Sequence, residues 1–153
     1  MGSIADRLKE LSITLPNAAA PAANYVPFVQ SGSMLYISGQ LPFDDGQLLN
    51  NGRLGESVTT EQGYLAARQC AINIIAQIAA AGALEKVKRV VRLGGFVNSS
   101  ADFTDQPQVV NGASDLFVAV FGDAGRHARA AVGVPALPKG VSVEVDAVVE
   151  LTS

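Results

Sequence analysis

A chain of 153 residues, 48% of them hydrophobic, has the length of one domain and can build a substantial core. Its net charge of -3 gives no broad basic surface, which argues against nucleic-acid binding. With one cysteine, Cys70, and one histidine, His127, a single chain can form neither a disulfide framework nor a Cys/His zinc site. No apolar run reaches the roughly 18 residues of a membrane span and no signal-peptide pattern begins the chain, so we expect a cytoplasmic protein without membrane partners.

We expect a single domain over residues 1–153, in which residues 1–22 form a peripheral helical arm. Between Ser3 and Leu11, apolar residues recur at helical spacing, which predicts a short amphipathic helix. The segment LPNAAAPAANY that follows is rich in helix breakers and ends the helix.

The next elements are predicted to be a hairpin and a turn region. Two β-prone runs, Tyr25–Gln30 and Met34–Ser38, flank Ser31-Gly32-Ser33, as in a hairpin. The segment FDDGQLLNNGRLGES is rich in Gly, Asn and Asp, which predicts turns around one very short strand.

Capping signals and apolar periodicity predict a long helix in the middle of the chain. Thr59 followed by Gln62 has capping-box spacing, and apolar residues recur at helical intervals until Gly82 ends the helix. The opposite side of this helix carries polar residues that we expect to face solvent: Gln69, Asn73 and Gln77.

A strand and a second helix follow. Val87–Val97 is β-prone, and its Gly94-Gly95 pair indicates a bulge or a close backbone approach. Asp105–Phe121 has one apolar stripe, with Pro107 suited to a first helical turn and Gly122 to the end of the helix.

The C-terminal residues are predicted to form two strands around the turn APALPKG. In VSVEVDAVVE the odd-numbered positions are apolar and the even-numbered ones mostly polar, so one face can cover the helices. The order of elements therefore favours an α+β fold with both helices on one face of a mixed sheet. The even-numbered positions face something polar or a partner subunit.

Arg129 heads the first of these strands, which we expect to form a hairpin with the strand of Glu144. One use of this arginine is an ion pair with Glu144 or Asp146, because an unpaired buried arginine is costly. The other is a fork that binds a ligand carboxylate through two N–H groups. The residues alone leave both uses open.

Other candidate residues have an ordinary interpretation beside a functional one. His127 is typical of an exposed loop, yet histidine titrates where acid–base chemistry takes place. Cys70 lies mid-helix without a base in sequence reach, so we interpret it as a packing residue. Tyr25 and Asn111 are unremarkable alone, and Gly39 fits strand-end geometry rather than a phosphate loop.

Several segments together resemble the RidA family, also called YjgF/YER057c/UK114 or endoribonuclease L-PSP. They are YVPFVQSGSMLYISGQLP, EQGYLAARQCAINIIAQIAAAG, KRVVRLGGFV with SSADF, an asparagine-bearing helix and HARAAVGVPALPKGVSVEVDAVVEL. The resemblance covers nearly the whole chain after the arm, and its last segment is the most specific. It implies a chorismate-mutase-like α+β fold and a homotrimer, with the sheets forming an internal barrel and three ligand clefts between subunits.

The resemblance also implies hydrolysis of reactive enamine or imine acids to 2-keto acids and ammonia, without a cofactor or metal. By the family pattern, Arg129 binds the substrate carboxylate and Glu144 positions water. The pattern assigns further cleft positions to Tyr25, Gly39 and Asn111. The ligand expected is therefore a small imino or keto acid.

The sequence departs from the family pattern near Arg129. Ala131 stands where the family usually has a cysteine, and Gly-Arg-His-Ala replaces the usual approach to the arginine, which makes His127 and Arg126 further candidates for the cleft. An alternative function is a non-catalytic trimer that binds small carboxylates or 2-keto acids as a sensor or regulator. An endoribonuclease is disfavoured by the acidic charge, the single histidine and the lack of an aromatic and basic stacking surface.

Overall fold

The computed structural model describes residues 2–21 and 23–153. The helices are α1 (Ile4–Glu10), α2 (Thr60–Ala80) and α3 (Gln106–Phe121). The strands are β1 (Phe28–Ser31), β2 (Met34–Gln40), β3 (Phe43–Asp44), β4 (Gln47–Leu48), β5 (Val87–Asn98), β6 (Ala128–Val134) and β7 (Val143–Leu151). Short 3-10 turns cover Leu84–Lys86, Gly122–Gly125 and Pro138–Gly140.

Five strands form one mixed sheet in the order β1-β2-β7-β5-β6, and β3 and β4 pair separately. The neighbours in the large sheet are antiparallel except β5 and β6, which are parallel. Helices α2 and α3 pack on each other, α2 against β7 and α3 against β5 and β6. The predicted α+β fold with a mixed sheet is therefore confirmed.

Burial alternates residue by residue along β7, as the sequence predicted. The odd-numbered residues from Val143 to Leu151 are buried in the core beneath the helices, and the even-numbered residues between them are half-buried. Strand β7 thus presents one apolar face to the helices and a second, more open face away from them.

The predicted hairpin between the strands of Arg129 and Glu144 is wrong. Strand β6 lies at the sheet edge beside β5, and β7 pairs with the other side of β5. The reason is topological: α3 is the crossover between β5 and β6, and a crossover helix returns the chain to a parallel strand. The chain then passes β5 before β7 enters the sheet.

The capping box predicted at the start of α2 is confirmed, because the Thr59 side chain accepts from the Gln62 backbone and the Gln62 side chain accepts from the Thr59 N–H. The predicted solvent exposure of the polar side of α2 is wrong, since Asn73 and Gln77 are buried.

The segment before β1 and the loop after β2 cover that polar side. Asn73 Nδ2 donates to the carbonyl oxygens of Leu41 and Phe43 at 2.9 and 3.0 Å. Gln77 Nε2 donates to Ala19 O at 2.9 Å. Loop carbonyls buried against a helix need such donors, and the amide side chains of α2 supply them.

The predicted arm is docked on the domain. Ser3 caps α1 with a capping box, and Leu8 and Ile13 are buried in the main apolar core. Met1 and Ala22, the two ends of the predicted arm, lie outside the described residues. In the described ranges, no helix is both long and apolar enough to cross a membrane.

Other predictions are confirmed with small shifts. The hairpin exists, but β1 begins at Phe28 rather than Tyr25, and the turn region holds two short strands instead of one. In β5 the glycine pair marks a close approach: a Cβ on Gly95 would lie 2.6 Å from Val110 Cγ2 of α3. The register shifts of β5 lie nearer its start, between Val87 and Arg92.

Candidate functional site

The candidate residues form two separate groups in the chain. We define the glutamate cluster as Tyr25, Gly39 and Glu144, which lie around β2 and β7. We define the arginine cluster as Ser114, His127 and Arg129, which lie on α3, the preceding loop and β6.

Hydrogen bonds at the end of β2 bring Tyr25 alongside Gly39. Ser38 Oγ donates to Val26 O at 2.7 Å, and the Ser38 N–H donates to Pro27 O at 2.9 Å. Tyr25 and Gly39 then share a cavity of about 160 Å³. The other residues that line it are Ala19, Ala20, Pro21, Pro27, Ser38, Gln40, Leu41, Phe43, Asn73 and Lys139.

Glu144 lies directly against the backbone of Gly39. A Cβ on Gly39 would overlap the Glu144 carboxylate oxygen and lie 2.9 Å from Glu144 Cδ. A larger residue at position 39 would require the Glu144 side chain to move aside. The Gly39 contact therefore links the tyrosine-lined cavity to the carboxylate of β7.

The environment of Glu144 favours its protonated form. Burial raises the pKa of Glu144, and the neighbouring carboxylate of Asp146 raises it further. Burial also raises the pKa of Asp146, opposed by Arg92 and by the Gly94 backbone. Among the described residues, no cationic nitrogen lies within 4.0 Å of the Glu144 carboxylate.

The Arg129 side chain extends from β6 towards α3. Its Nη1 donates to Ser114 Oγ at 3.0 Å and its Nη2 donates to Pro107 O at 3.1 Å. Of the two uses that the sequence left open, the ion pair with Glu144 or Asp146 is absent within one copy, because within residues 2–21 and 23–153 no carboxylate oxygen lies within 4.0 Å of Arg129. Neutral acceptors hold the guanidinium and leave its charge uncompensated.

His127 is half-buried, so the prediction of an exposed loop residue is wrong. Its Nδ1 lies 2.6 Å from Gly125 O and its Nε2 lies 2.8 Å from Ser114 Oγ. Burial lowers the pKa of His127 most, the Gly125 carbonyl opposes this, and the charge of Arg129 lowers it further. These surroundings therefore favour the neutral form of the imidazole beside Arg129.

The register of β5 shows that the two clusters lie on opposite faces of the sheet. Leu93 pairs with both Arg129 and the buried Ala147, so Arg129 shares the helix-facing side. Phe96 pairs with Glu144 on the open side, three positions further along β5 and hence about 10 Å away. One copy of the chain does not bring Arg129 and Glu144 to the same small molecule.

Residues 5–151 match the family model described as "YjgF/chorismate_mutase-like, putative endoribonuclease". This match covers almost the whole chain. The chain belongs to the RidA (YjgF) family. Its mixed sheet and helices are those of the chorismate-mutase-like structures of that family.

Individual RidA relatives differ in similarity to the chain. The Trypanosoma cruzi protein TCP17 is 55% identical, covering 99% of this chain and 96% of its own length. A Salmonella typhimurium protein named 2-iminobutanoate/2-iminopropanoate deaminase is 34% identical, covering 90% of this chain and 94% of its own. The crystal structure of Atu1372 from Agrobacterium tumefaciens superposes with a TM-score of 0.91 at 51% identity, covering 97% of this chain and 92% of that one.

Asn111, a cleft position by the RidA pattern, and Cys70, expected to be a packing residue, lie outside both clusters. Asn111 of α3 lines an open groove of about 430 Å³ between α2 and α3, together with Tyr64 and Asp115. Cys70 is fully buried, and burial raises its pKa well above the ordinary value, which confirms a packing role. The described part of the chain holds no group of three or more His, Cys, Asp or Glu placed for a metal ion.

Sequence reasoning missed two residues of the candidate site. Ser114 bonds to both Arg129 and His127, but a serine in a helix, 13 residues before His127, gives no signal before the crossover is known. Lys139 lines the cavity of Tyr25 and Gly39 because the loop before β7 returns to the end of β2. Only its position in APALPKG, inside the most family-specific segment, could have indicated it.

Proposed function

We propose that the chain hydrolyses small 2-imino acids to 2-keto acids and ammonia, the substrate class in the names of several relatives. The observation that carries this proposal is the Arg129 guanidinium, held by two neutral acceptors with its charge uncompensated. An arginine fork of this kind suits a single ligand carboxylate, which every 2-imino acid has.

The proposed site is completed by two copies of the chain. Because Arg129 and Glu144 project from opposite faces of the sheet, the arginine cluster of one copy would face the glutamate cluster of the next. We propose a homotrimer, a closed ring in which this contact repeats three times. Its support is the open sheet face, where the side chains of Val29, Tyr36 and Val132 are 51%, 49% and 44% exposed and suited to burial by a neighbouring copy.

The chemistry needs only water as a second reactant. Arg129 holds the substrate carboxylate, while Glu144 accepts a proton from water as the water oxygen bonds to the imine carbon and then passes that proton to the imine nitrogen, which gives a neutral carbinolamine. The hydroxyl proton of the carbinolamine next moves through Glu144 to the nitrogen, the C–N bond breaks, ammonia leaves and the keto C=O forms. A carboxyl whose pKa is raised, as that of Glu144 is, is a stronger proton acceptor in its ionised form than an ordinary carboxylate, and it can return the proton afterwards.

The test is turnover of 2-iminobutanoate, generated in situ by an amino-acid oxidase, by wild type, Arg129→Ala and Arg129→Lys. We expect wild type to accelerate hydrolysis and Arg129→Ala to lose about 100-fold or more in kcat/KM, since two charge-assisted hydrogen bonds are removed. Arg129→Lys keeps the charge without the fork and should fall between them.

The same experiment can overturn the proposal. If wild type leaves the rate unchanged while it binds 2-oxobutanoate in calorimetry, the protein is a carboxylate-binding sensor or regulator instead of a deaminase. If Arg129→Ala hydrolyses the imine as fast as wild type, Arg129 does not bind the substrate.

A further inference from the structure

The arginine cluster contains a directed chain of hydrogen bonds. Gly125 O can only accept, so the His127 Nδ1 that lies 2.6 Å from it carries a proton. In a neutral imidazole Nε2 is then an acceptor, and it accepts a hydrogen bond from the Ser114 hydroxyl at 2.8 Å. The Ser114 oxygen in turn presents a lone pair to Arg129 Nη1 at 3.0 Å. The donor and acceptor in each hydrogen bond are therefore set by the hydrogen bond before it.

Both ends of this chain of hydrogen bonds are held by secondary-structure elements that pack on α3. Gly125 belongs to the 3-10 turn that follows α3, and the Phe117 ring of α3 meets the imidazole edge to face, with centroids 6.2 Å apart and planes at 75°. Ser114 is on α3 itself, and β6 carries Arg129. The histidine therefore has little freedom to leave Ser114.

We propose that Ser114 and His127 are positioning residues, which hold the Arg129 guanidinium in the orientation that receives the carboxylate of an imino or keto acid. The ligand class rests on the function proposed above, whereas the hydrogen-bond chain does not. Nothing in the family pattern stated above assigns a role to Ser114, and His127 acts on the ligand through Ser114 and Arg129 rather than by touching it.

The physical reason is the freedom of a long side chain. Without Ser114, Pro107 O is the one partner left to the guanidinium among the described residues, and a ligand would have to order the arginine as it binds. Loss of this preorganisation weakens carboxylate binding, because the ligand must supply the ordering free energy. The chemical step at the imine carbon depends on Glu144 and water, so we expect KM to change more than kcat.

The charged neighbours of His127 make its titration a direct reporter. Arg129 on β6 acts on it through Ser114, while Asp123 and Arg126 of the preceding turn face each other at 3.5 Å. The side chains of α3 that touch the imidazole, Ser114 and Phe117, are uncharged. A carboxylate bound to Arg129 offsets the positive charge beside the histidine and should raise its pKa.

His127 is the single histidine of the chain, so its 15N NMR signals can be assigned without ambiguity. We expect the Nδ1–H tautomer in wild type, a higher His127 pKa in Arg129→Ala, and a higher pKa in wild type on addition of 2-oxobutanoate. An Nε2–H tautomer, or a His127 pKa that Arg129→Ala leaves unchanged, would overturn the proposed chain.

A double-mutant cycle separates positioning from general damage to the fold. We expect Ser114→Ala to weaken 2-oxobutanoate binding roughly 5- to 10-fold, the scale of one lost hydrogen bond, and Ser114→Thr to restore it. His127→Gln keeps an acceptor near the Nε2 position and should bind better than His127→Phe. In the Arg129→Ala background, Ser114→Ala should have no further effect on binding.

Failure of this inference can be told from failure of the proposed function. A full additional loss from Ser114→Ala in the Arg129→Ala background, or a wild type that neither binds 2-oxobutanoate nor hydrolyses 2-iminobutanoate, overturns the positioning role. Binding with the expected coupling but without imine hydrolysis supports the positioning role and removes only the deaminase function.

Discussion

The two clusters hold opposite charges in different ways. In the glutamate cluster a carboxylate is pressed against the backbone of Gly39 beside a second acid, Asp146, so its ionised form is disfavoured. In the arginine cluster a guanidinium is fixed by neutral oxygens of α3. Charges without partners are costly in a partly buried setting, and a ligand or a second copy of the chain can lower that cost.

The clusters also differ in the elements that build them. The arginine cluster is held by α3 and β6, two regular elements in direct contact. The cavity of the glutamate cluster is lined on one side by β2 and α2, but its other walls are irregular segments: residues 19–21, the approach to β1 and the loop of Lys139. Sites on regular elements are geometrically fixed, whereas loops tolerate sequence change. We therefore infer that Arg129 binds the ligand carboxylate, whereas the loops around the cavity determine which ligands fit.

The sharpest way to test whether the clusters of two copies cooperate is to mix two inactive variants. Arg129→Ala and Glu144→Gln should each be nearly inactive, but refolded together in equal amounts they should recover activity. In a ring where each site takes one cluster from each of two neighbours, about a quarter of the sites then carry both intact clusters. The measurement is imine hydrolysis per copy relative to wild type.

The matched control mixes Arg129→Ala with the double variant Arg129→Ala/Glu144→Gln, which cannot form an intact site and should stay inactive. If the first mixture also stays inactive although the copies have co-assembled, the arginine cluster of one copy does not form a site with the glutamate cluster of its neighbour.

A smaller effect is expected from filling the space between Gly39 and Glu144. Gly39→Ala places a Cβ on the Glu144 carboxylate, so the acid must move, and we expect roughly a tenfold or larger loss of kcat/KM. The free energy of unfolding should fall by at most about 1 kcal/mol, the low end for overpacking, because the flexible Glu144 side chain can move aside. Urea unfolding and steady-state kinetics measure both.

The control repeats Gly39→Ala in a Glu144→Ala background, where the clash is absent. There the substitution should change stability little. An equal loss of stability in both backgrounds would mean that the β2 backbone, and not the carboxylate, requires glycine at this position.

The sequence predicted local structure well and long-range pairing poorly. Thr59 and Gln62 carry the capping box in their own spacing, and the alternation along β7 is visible residue by residue. The partner of β6 was predicted wrongly, because a hairpin and a crossover leave the same strand pattern and only the sheet order separates them. Ser114 was missed for the same reason: its link to Arg129 exists only once α3 lies across β5 and β6.

The polar side of α2 shows a second limit of sequence reasoning. Asn73 and Gln77 have the spacing of a solvated face, yet they donate to loop carbonyls that lie far away in the sequence. A periodic pattern distinguishes apolar from polar positions, but an amide facing water and an amide satisfying a buried loop have the same pattern.

The smallest predicted effect concerns the pH dependence of stability at Glu144. Its folded-state pKa is raised above the ordinary value of 4.5 by burial and by Asp146. A raised pKa means that the folded chain binds this proton more tightly than the unfolded chain. Protonation of Glu144 therefore stabilises the folded state relative to the unfolded state, and this stabilisation is fully present below pH 4.5. It is lost as the pH rises through the folded-state pKa, and the ionised carboxylate then disfavours folding.

Glu144→Gln removes that ionisation, so it should raise the urea midpoint at pH 7 by a few tenths of 1 M and leave it nearly unchanged at pH 4. Asp146→Asn is the matched control, and its gain should be smaller because Arg92 and the Gly94 backbone already favour the ionised form of Asp146. If Glu144→Gln instead lowers the urea midpoint at pH 7, the ionised Glu144 carboxylate is stabilised by an ion pair with a cation. Since no described residue of its own chain supplies one within 4.0 Å, that cation would come from a neighbouring copy, which would tie the two clusters together by stability alone.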